Sequence, residues 1–258
     1  MFDKIVSIVV PFVGTILGSA CIFLIKKMNN KLLRIFSGFA AGVMVAASIW
    51  SLIIPSFEAT TDMGKWSFVP VIVGLWLGFI FLMILDKVIP HSHAGSDEVE
   101  GPKATLKKST MTSLAVALHN LPEGIAVGVV LASSQVQNTG ITIAMAVALA
   151  IGIAIQNFPE GAIVSVSLHA NGMKKSKAFG FGVLSGIVEP VGALLTLLLV
   201  NILHPALPYL LSFAAGAMLY VVVEELIPEM VKGEHSHLGT IFFGIGFSLM
   251  IVLEVVLG

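Results

Sequence analysis

Long apolar runs separated by short polar interruptions fill almost the whole chain. Eight stretches, about 5 to 25, 32 to 55, 67 to 89, 111 to 132, 141 to 168, 178 to 200, 206 to 228 and 238 to 257, each approach the roughly 20 apolar residues that a helix needs to cross a bilayer core. The pattern predicts an all-α integral membrane protein of eight transmembrane helices, forming one polytopic domain over residues 1–258. The first run is too long for a signal-peptide core and is expected to persist as a helix. The chief hydrophilic interruption, about residues 90 to 108, holds His91, His93, Asp97, Glu98 and Glu100 and reads as a loop between the third and fourth helices.

Composition agrees with this reading. The chain is 57% hydrophobic and 11% charged, with mean hydropathy +1.00, whereas a soluble domain carries roughly 25% charged residues. A formal net charge of -1 suggests neither nucleic acid nor an acidic polymer as partner. The single cysteine, Cys21, rules out a disulfide framework or a thiolate metal cluster within one chain, so any metal must be held by nitrogen and oxygen.

Orientation follows from the basic residues, because cytoplasmic loops retain positive charge. Lys26, Lys27, Lys31 and Arg34 join the first two runs, and Lys87, Lys103, Lys107 and Lys108 flank the long loop. Lys174, Lys175 and Lys177 follow the fifth run and Lys232 the seventh, leaving only Lys4 and Lys65 on the opposite side. With an even number of spans, both termini are expected to be extracytoplasmic, in a multi-pass protein of the inner cell membrane.

A few ionisable residues fall deep inside apolar runs: His119, Glu123, Glu160 and Glu189, with Asn120, Gln156 and Asn157 beside them. A charge at the bilayer centre costs about 2.5 to 3.5 kcal/mol, so three unpaired carboxylates cost roughly 8 to 10 kcal/mol. Every lysine and the arginine map to loops or span ends, so the neutralising charge is expected to be protons or a visiting cation.

Spacing gathers these residues. His119-Asn120-Leu121-Pro122-Glu123-Gly124 and Gln156-Asn157-Phe158-Pro159-Glu160-Gly161 repeat one six-residue pattern in consecutive spans. Positions i, i+1 and i+4 share one helix face, so the two polar faces can meet between antiparallel neighbours, with Glu189 at similar depth in the sixth span. Pro122 and Pro159 are expected to loosen the turns that hold the ligands, and Gly124 and Gly161 to admit a close approach. One imidazole among many oxygens suits borderline divalent ions and exchangeable binding. Three carboxylates can balance one or two such ions.

On these residues the sequence resembles the ZIP (Zrt/Irt-like protein) metal transporters, in particular their prokaryotic GufA-like branch. HNLPEG at 119–124 and QNFPEG at 156–161 carry the resemblance, supported by Glu189-Pro190, by Glu224-Glu225-Leu-Ile-Pro228-Glu229, and by Asp86 with His91 and His93 after it. It implies eight helices with both termini outside and a binuclear centre. One position would use His119, Glu123, Gln156 and Glu160, and the other Asn120, Glu123, Asn157, Glu160 and Glu189. Asp86, Glu224 and Glu225 would line the cytoplasmic exit. Zn2+ would be the preferred substrate, with cadmium, iron or manganese tolerated, moved into the cytosol by an elevator-like sliding of one helical block against another. A homodimer fits the resemblance. Many relatives place histidine and an acid where this chain has Gln156 and Asn157, so its fifth-span half-site is less charged.

Two His-x-His pairs, His91 with His93 and His235 with His237, are candidate loop contacts for metal. Two other functions remain open from the residues alone. An intramembrane metal hydrolase could use a histidine and a glutamate on one helix, although the His-Glu-x-x-His pattern is missing; a proton-linked carrier of an organic solute could use the same glutamates without metal.

Overall fold

The computed structural model describes residues 2–25, 27–91, 101–102, 107–136, 139–199, 206–233 and 235–258. Eight helices among them are long and apolar enough to cross a membrane: α1 (Phe2–Phe23), α2 (Asn30–Glu58), α3 (Phe68–Val88), α4 (Lys108–Ser133), α5 (Ile143–Ala170), α6 (Lys175–Leu198), α7 (Leu207–Val231) and α8 (Leu238–Leu257). No end lies more than three residues from the position expected from hydropathy. Most of the 90–108 loop, including His93, lies outside the described residues.

Packing is dominated by four helix pairs: α1 with α5, α2 with α8, α3 with α7, and α4 with α6. Helices α1, α4, α5 and α6 pack mainly among themselves, and α2, α3, α7 and α8 form a second group joined to the first through α2 with α5 and α4 with α7. An apolar groove of about 570 Å³ runs between the groups, lined by Val13 and Leu17 of α1, Phe36 and Phe39 of α2, and Ala154 and Phe158 of α5.

Small residues make the tight pairs. In lipid, apolar surface gains little by leaving the solvent, so helices associate through close backbone approach. A Cβ at Gly14 would lie 2.1 Å from the Ala154 carbonyl oxygen, and one at Gly78 2.1 Å from that of Phe213. The central α4 is 78% buried and the peripheral α8 only 11%. Polar side chains are therefore tolerable on α4, where neighbouring helices can satisfy them, while α8 presents hydrocarbon to the bilayer.

The helices depart from regularity at places the prolines do and do not predict. Both α4 and α5 continue as α-helix through Pro122 and Pro159, so the expectation of loosened turns there is corrected. Apart from a 3-10 turn that ends α1 at Cys21–Phe23, the irregular segments among the described residues of the spans are in α2, α7 and α6. In α2 and α7 a widened π-helical turn, Ser48–Ile53 and Val222–Leu226, is followed at once by a proline, Pro55 and Pro228. Proline lacks an N–H and crowds the carbonyl one turn earlier, and a wider turn ahead of it relieves the crowding. In α6, regular helix is interrupted at Ile187, two residues before Glu189.

Arg34 lies near the start of α2, at a span end as expected, but is only 8% exposed. Its Nε donates to the Lys232 carbonyl at 2.8 Å, tying α2 to the end of α7.

Gly78→Val should lower the thermal midpoint of the purified protein in detergent, because the intruding side chain meets backbone, and overpacking costs about 1 to 3 kcal/mol. Gly244→Ala, where a Cβ meets nothing within 4 Å, should leave the midpoint unchanged in the same size-exclusion melting assay.

Candidate metal centre

The polar residues of α4 and α5 do meet, together with Glu189 of α6, but in two layers. Helix α4 runs away from the lysine-rich face and α5 runs back toward it, so His119 and Glu160 lie one turn nearer that face than Glu123 and Gln156. Four residues at 1.5 Å rise make this offset about 6 Å.

The deeper layer is buried and densely bonded. Glu123, Gln156 and Asn157 are 0% exposed and Asn120 and Glu189 1%. The Gln156 amide donates to Glu123 Oε1. Glu189 Oε1 accepts from the Thr15 hydroxyl at 2.9 Å and from Asn120 Nδ2 at 3.1 Å, while Oε2 accepts from Asn157 Nδ2 at 2.8 Å. Four helices thus converge on the Glu189 carboxylate. Close backbone approach places it there: Gly124 lies against the Glu189 backbone, and Gly161 against that of Thr15. The two glycines therefore admit backbone.

The second layer opens toward the lysine-rich face. His119, Glu160, Glu225 and Glu229 line a cavity of about 30 Å³, walled by Val116, Ile163, Val164, Val221 and Leu226. That is room for about one water-sized guest. His119 Nδ1 contacts the Glu225 carboxylate of α7, and Ser37 of α2 donates to Glu229 Oε2 at 2.7 Å. Glu229 was not among the expected site residues. Its signal was present in the sequence as a second acid one turn after Glu225, hidden by its position near the end of the seventh span.

Several acceptor oxygens in these layers have no hydrogen-bond donor among the described residues: Glu123 Oε2, Glu160 Oε1, Asn120 Oδ1 and Gln156 Oε1. Buried oxygens are almost always paired, and here four lie in one region. Among the described residues, no three His, Cys, Asp or Glu side chains stand together as a ready cation cage. His119 instead contacts Glu225, and the Gln156 amide bonds one oxygen of Glu123.

The remaining expected residues are spread more widely. Glu224 is exposed and does not line the cavity. Asp86 accepts from the Tyr220 hydroxyl at 2.6 Å and faces the His91 ring at 3.8 Å, also outside the cavity. His91 is fully buried, with Nδ1 2.8 Å from the Ile89 carbonyl oxygen, so it does not present itself as a loop histidine. His235 and His237 are exposed, with ring centroids 4.9 Å apart. Glu254, near the end of α8, lies apart and accepts from Ser51.

A bundle of eight membrane-crossing helices with carboxylates buried along its middle has the makings of a multi-pass membrane transport protein. The model of the family described as ZIP Zinc transporter matches residues 3–110 and 109–254, and the chain belongs to that family. It is a family of transporters rather than enzymes. Zinc transporter GufA of Myxococcus xanthus is 35% identical over 249 aligned residues, spanning 95% of each chain. Zinc transporter ZIP11 of Homo sapiens is 33% identical, covering 95% of this chain and 94% of its own. Zinc transporter ZIPB of Bordetella bronchiseptica is 35% identical, covering 96% of this chain and 79% of its own.

Thr15→Val removes a hydroxyl donor from a buried carboxylate and should destabilise the protein by about 1 to 2 kcal/mol. Thr15→Ser should retain most of the wild-type stability, as read from the midpoint of a denaturing-detergent titration.

Proposed function

We propose that the protein carries divalent transition metal ions across the membrane, zinc preferred and cadmium, iron or manganese tolerated, delivering them to the cytosol. The observation that carries this reading is the cluster of donor-less oxygens on Glu123, Glu160, Asn120 and Gln156, with His119 beside them. Glu123 and Glu189 are bonded by amides and a hydroxyl, and among the described residues no lysine or arginine is bonded to Glu123, Glu160 or Glu189. Arg34 bonds the Lys232 carbonyl at the membrane edge, beyond the glutamates of α4, α5 and α6. Family membership and the names of the relatives point to the same cargo.

In this reading His119, Glu123, Gln156 and Glu160 hold one ion, and Asn120, Asn157 and Glu189 complete a second position that shares Glu123 and Glu160. Imidazole and carboxylate together suit zinc without the tight closure of a cysteine cage, which a carrier requires for release. The ion competes with Glu225 for His119. When it leaves, Glu225 and Glu229 on α7, which line the same cavity as His119 and Glu160, offer carboxylates on the way to the lysine-rich face, which the positive-inside rule assigns to the cytosol. Both termini then lie outside the cytosol, and the membrane is the inner cell membrane. The two helix groups and the apolar groove between them suit an elevator-like movement of α1, α4, α5 and α6 against the rest.

Reconstituted protein should give saturable zinc-65 uptake into liposomes. Glu123→Ala and Glu160→Ala should each cut that flux by at least roughly tenfold, a loss expected where a metal position loses a ligand. Absence of zinc flux together with proton-coupled movement of an organic solute would overturn the proposal.

A further inference from the structure

The lysine-rich face holds a feature that the metal path does not use. Lys107, Ser109, Asn171, Lys174 and Lys177 line a basin of about 670 Å³ between the starts of α4 and α6. A second groove, of about 500 Å³, shares Lys107, Ser109, Met173 and Lys177 with the basin and continues along Gly180, Phe181 and Leu184 of α6. Basic basin and apolar groove are thus one continuous surface, the first at the membrane edge and the second running into the span.

Local chemistry at the basin violates a helix rule twice. Lys107 is the N-cap of α4 and Lys174 the N-cap of α6, and neither helix start has a side-chain cap. Helix N-termini carry partial positive charge and unsatisfied amides, and favour Ser, Thr, Asp or Asn at the cap and acids in the first turn. Here two N-termini meet at one basin, each with lysines in place of acids, and neither 107–110 nor 169–178 contains an Asp or Glu. Among the described residues, Lys107, Lys174 and Lys177 have no carboxylate partner. Ordinary positive-inside bias accounts for lysines in these loops; it does not account for two uncapped N-termini converging with them. An anion with several acceptor oxygens satisfies both the amides and the ammonium groups.

We propose that this surface binds an anionic phospholipid, its phosphate in the basin and one acyl chain in the groove beside Gly180. Clustered lysines at the membrane edge between helices are the chemistry that recognises such headgroups. The groove favours a lipid over free phosphate: Leu184 is 56% exposed along it, and a Cβ at Gly180 would meet nothing within 4 Å, so apolar surface beside the basin stays open to an acyl chain.

Native mass spectrometry of the full-length protein in detergent, with added dioleoylphosphatidylglycerol or dioleoylphosphatidylcholine, tests this. The wild type should retain the anionic lipid at least about tenfold better. Joint Lys107→Ala, Lys174→Ala and Lys177→Ala should weaken its retention by roughly a hundredfold, while the three arginine substitutions should preserve it. Gly180→Leu keeps every charge and should also weaken retention, because its side chain fills the groove. The proposal is overturned if the triple alanine variant keeps the lipid, or if Lys27→Ala, Lys31→Ala and Lys87→Ala elsewhere on the same face weaken retention equally. It is also overturned if inorganic phosphate displaces the lipid at equal concentration, or if Gly180→Leu binds as the wild type does.

Discussion

The structure depends on how a carboxylate is held in hydrocarbon. Glu189 is almost wholly buried and accepts from a hydroxyl on α1 and from amides on α4 and α5. The donors come from three other helices, so the buried glutamate is satisfied only where the four helices pack together. An unsatisfied polar group in hydrocarbon costs several kcal/mol. The tight α1–α5 and α4–α6 pairs are the geometric answer, and the glycines at 14, 124 and 161 are what permits it.

The same constraint accounts for the layering. Where amides and hydroxyls suffice, at Glu189 and one oxygen of Glu123, the buried carboxylate oxygens are paired. Where they do not, at Glu160 Oε1, Glu123 Oε2, Asn120 Oδ1 and Gln156 Oε1, acceptors are left without a donor among the described residues. His119 sits between these regimes and takes its partner from α7, in the other helix group.

Irregular backbone is distributed with similar economy. The π-turns of α2 and α7 precede prolines and leave Glu225 within a widened segment, where its carboxylate reaches His119. The interruption at Ile187 falls just before Glu189. By contrast, α4 and α5 stay regular through Pro122 and Pro159. Regular helix keeps His119 and Glu123, and Gln156 and Glu160, one turn apart on a shared face.

Much of the fold was legible in the sequence. Bilayer thickness fixes how long an apolar run must be, so span number and boundaries follow from hydropathy alone, and the i, i+4 spacing of His119 and Glu123 or Gln156 and Glu160 fixes which side chains share a face. The isolated acids of the fourth, fifth and sixth runs stood out for the same reason, because a carboxylate in hydrocarbon is costly unless it is satisfied. Sequence could not decide which neighbour each side chain would choose. That Thr15 bonds Glu189, that Glu225 takes His119, that Glu229 joins the cavity and that Arg34 is buried all rest on contacts between residues distant in the chain. Periodicity sets the direction of a side chain around its own helix axis; only the packing of helices through their small residues sets what it meets.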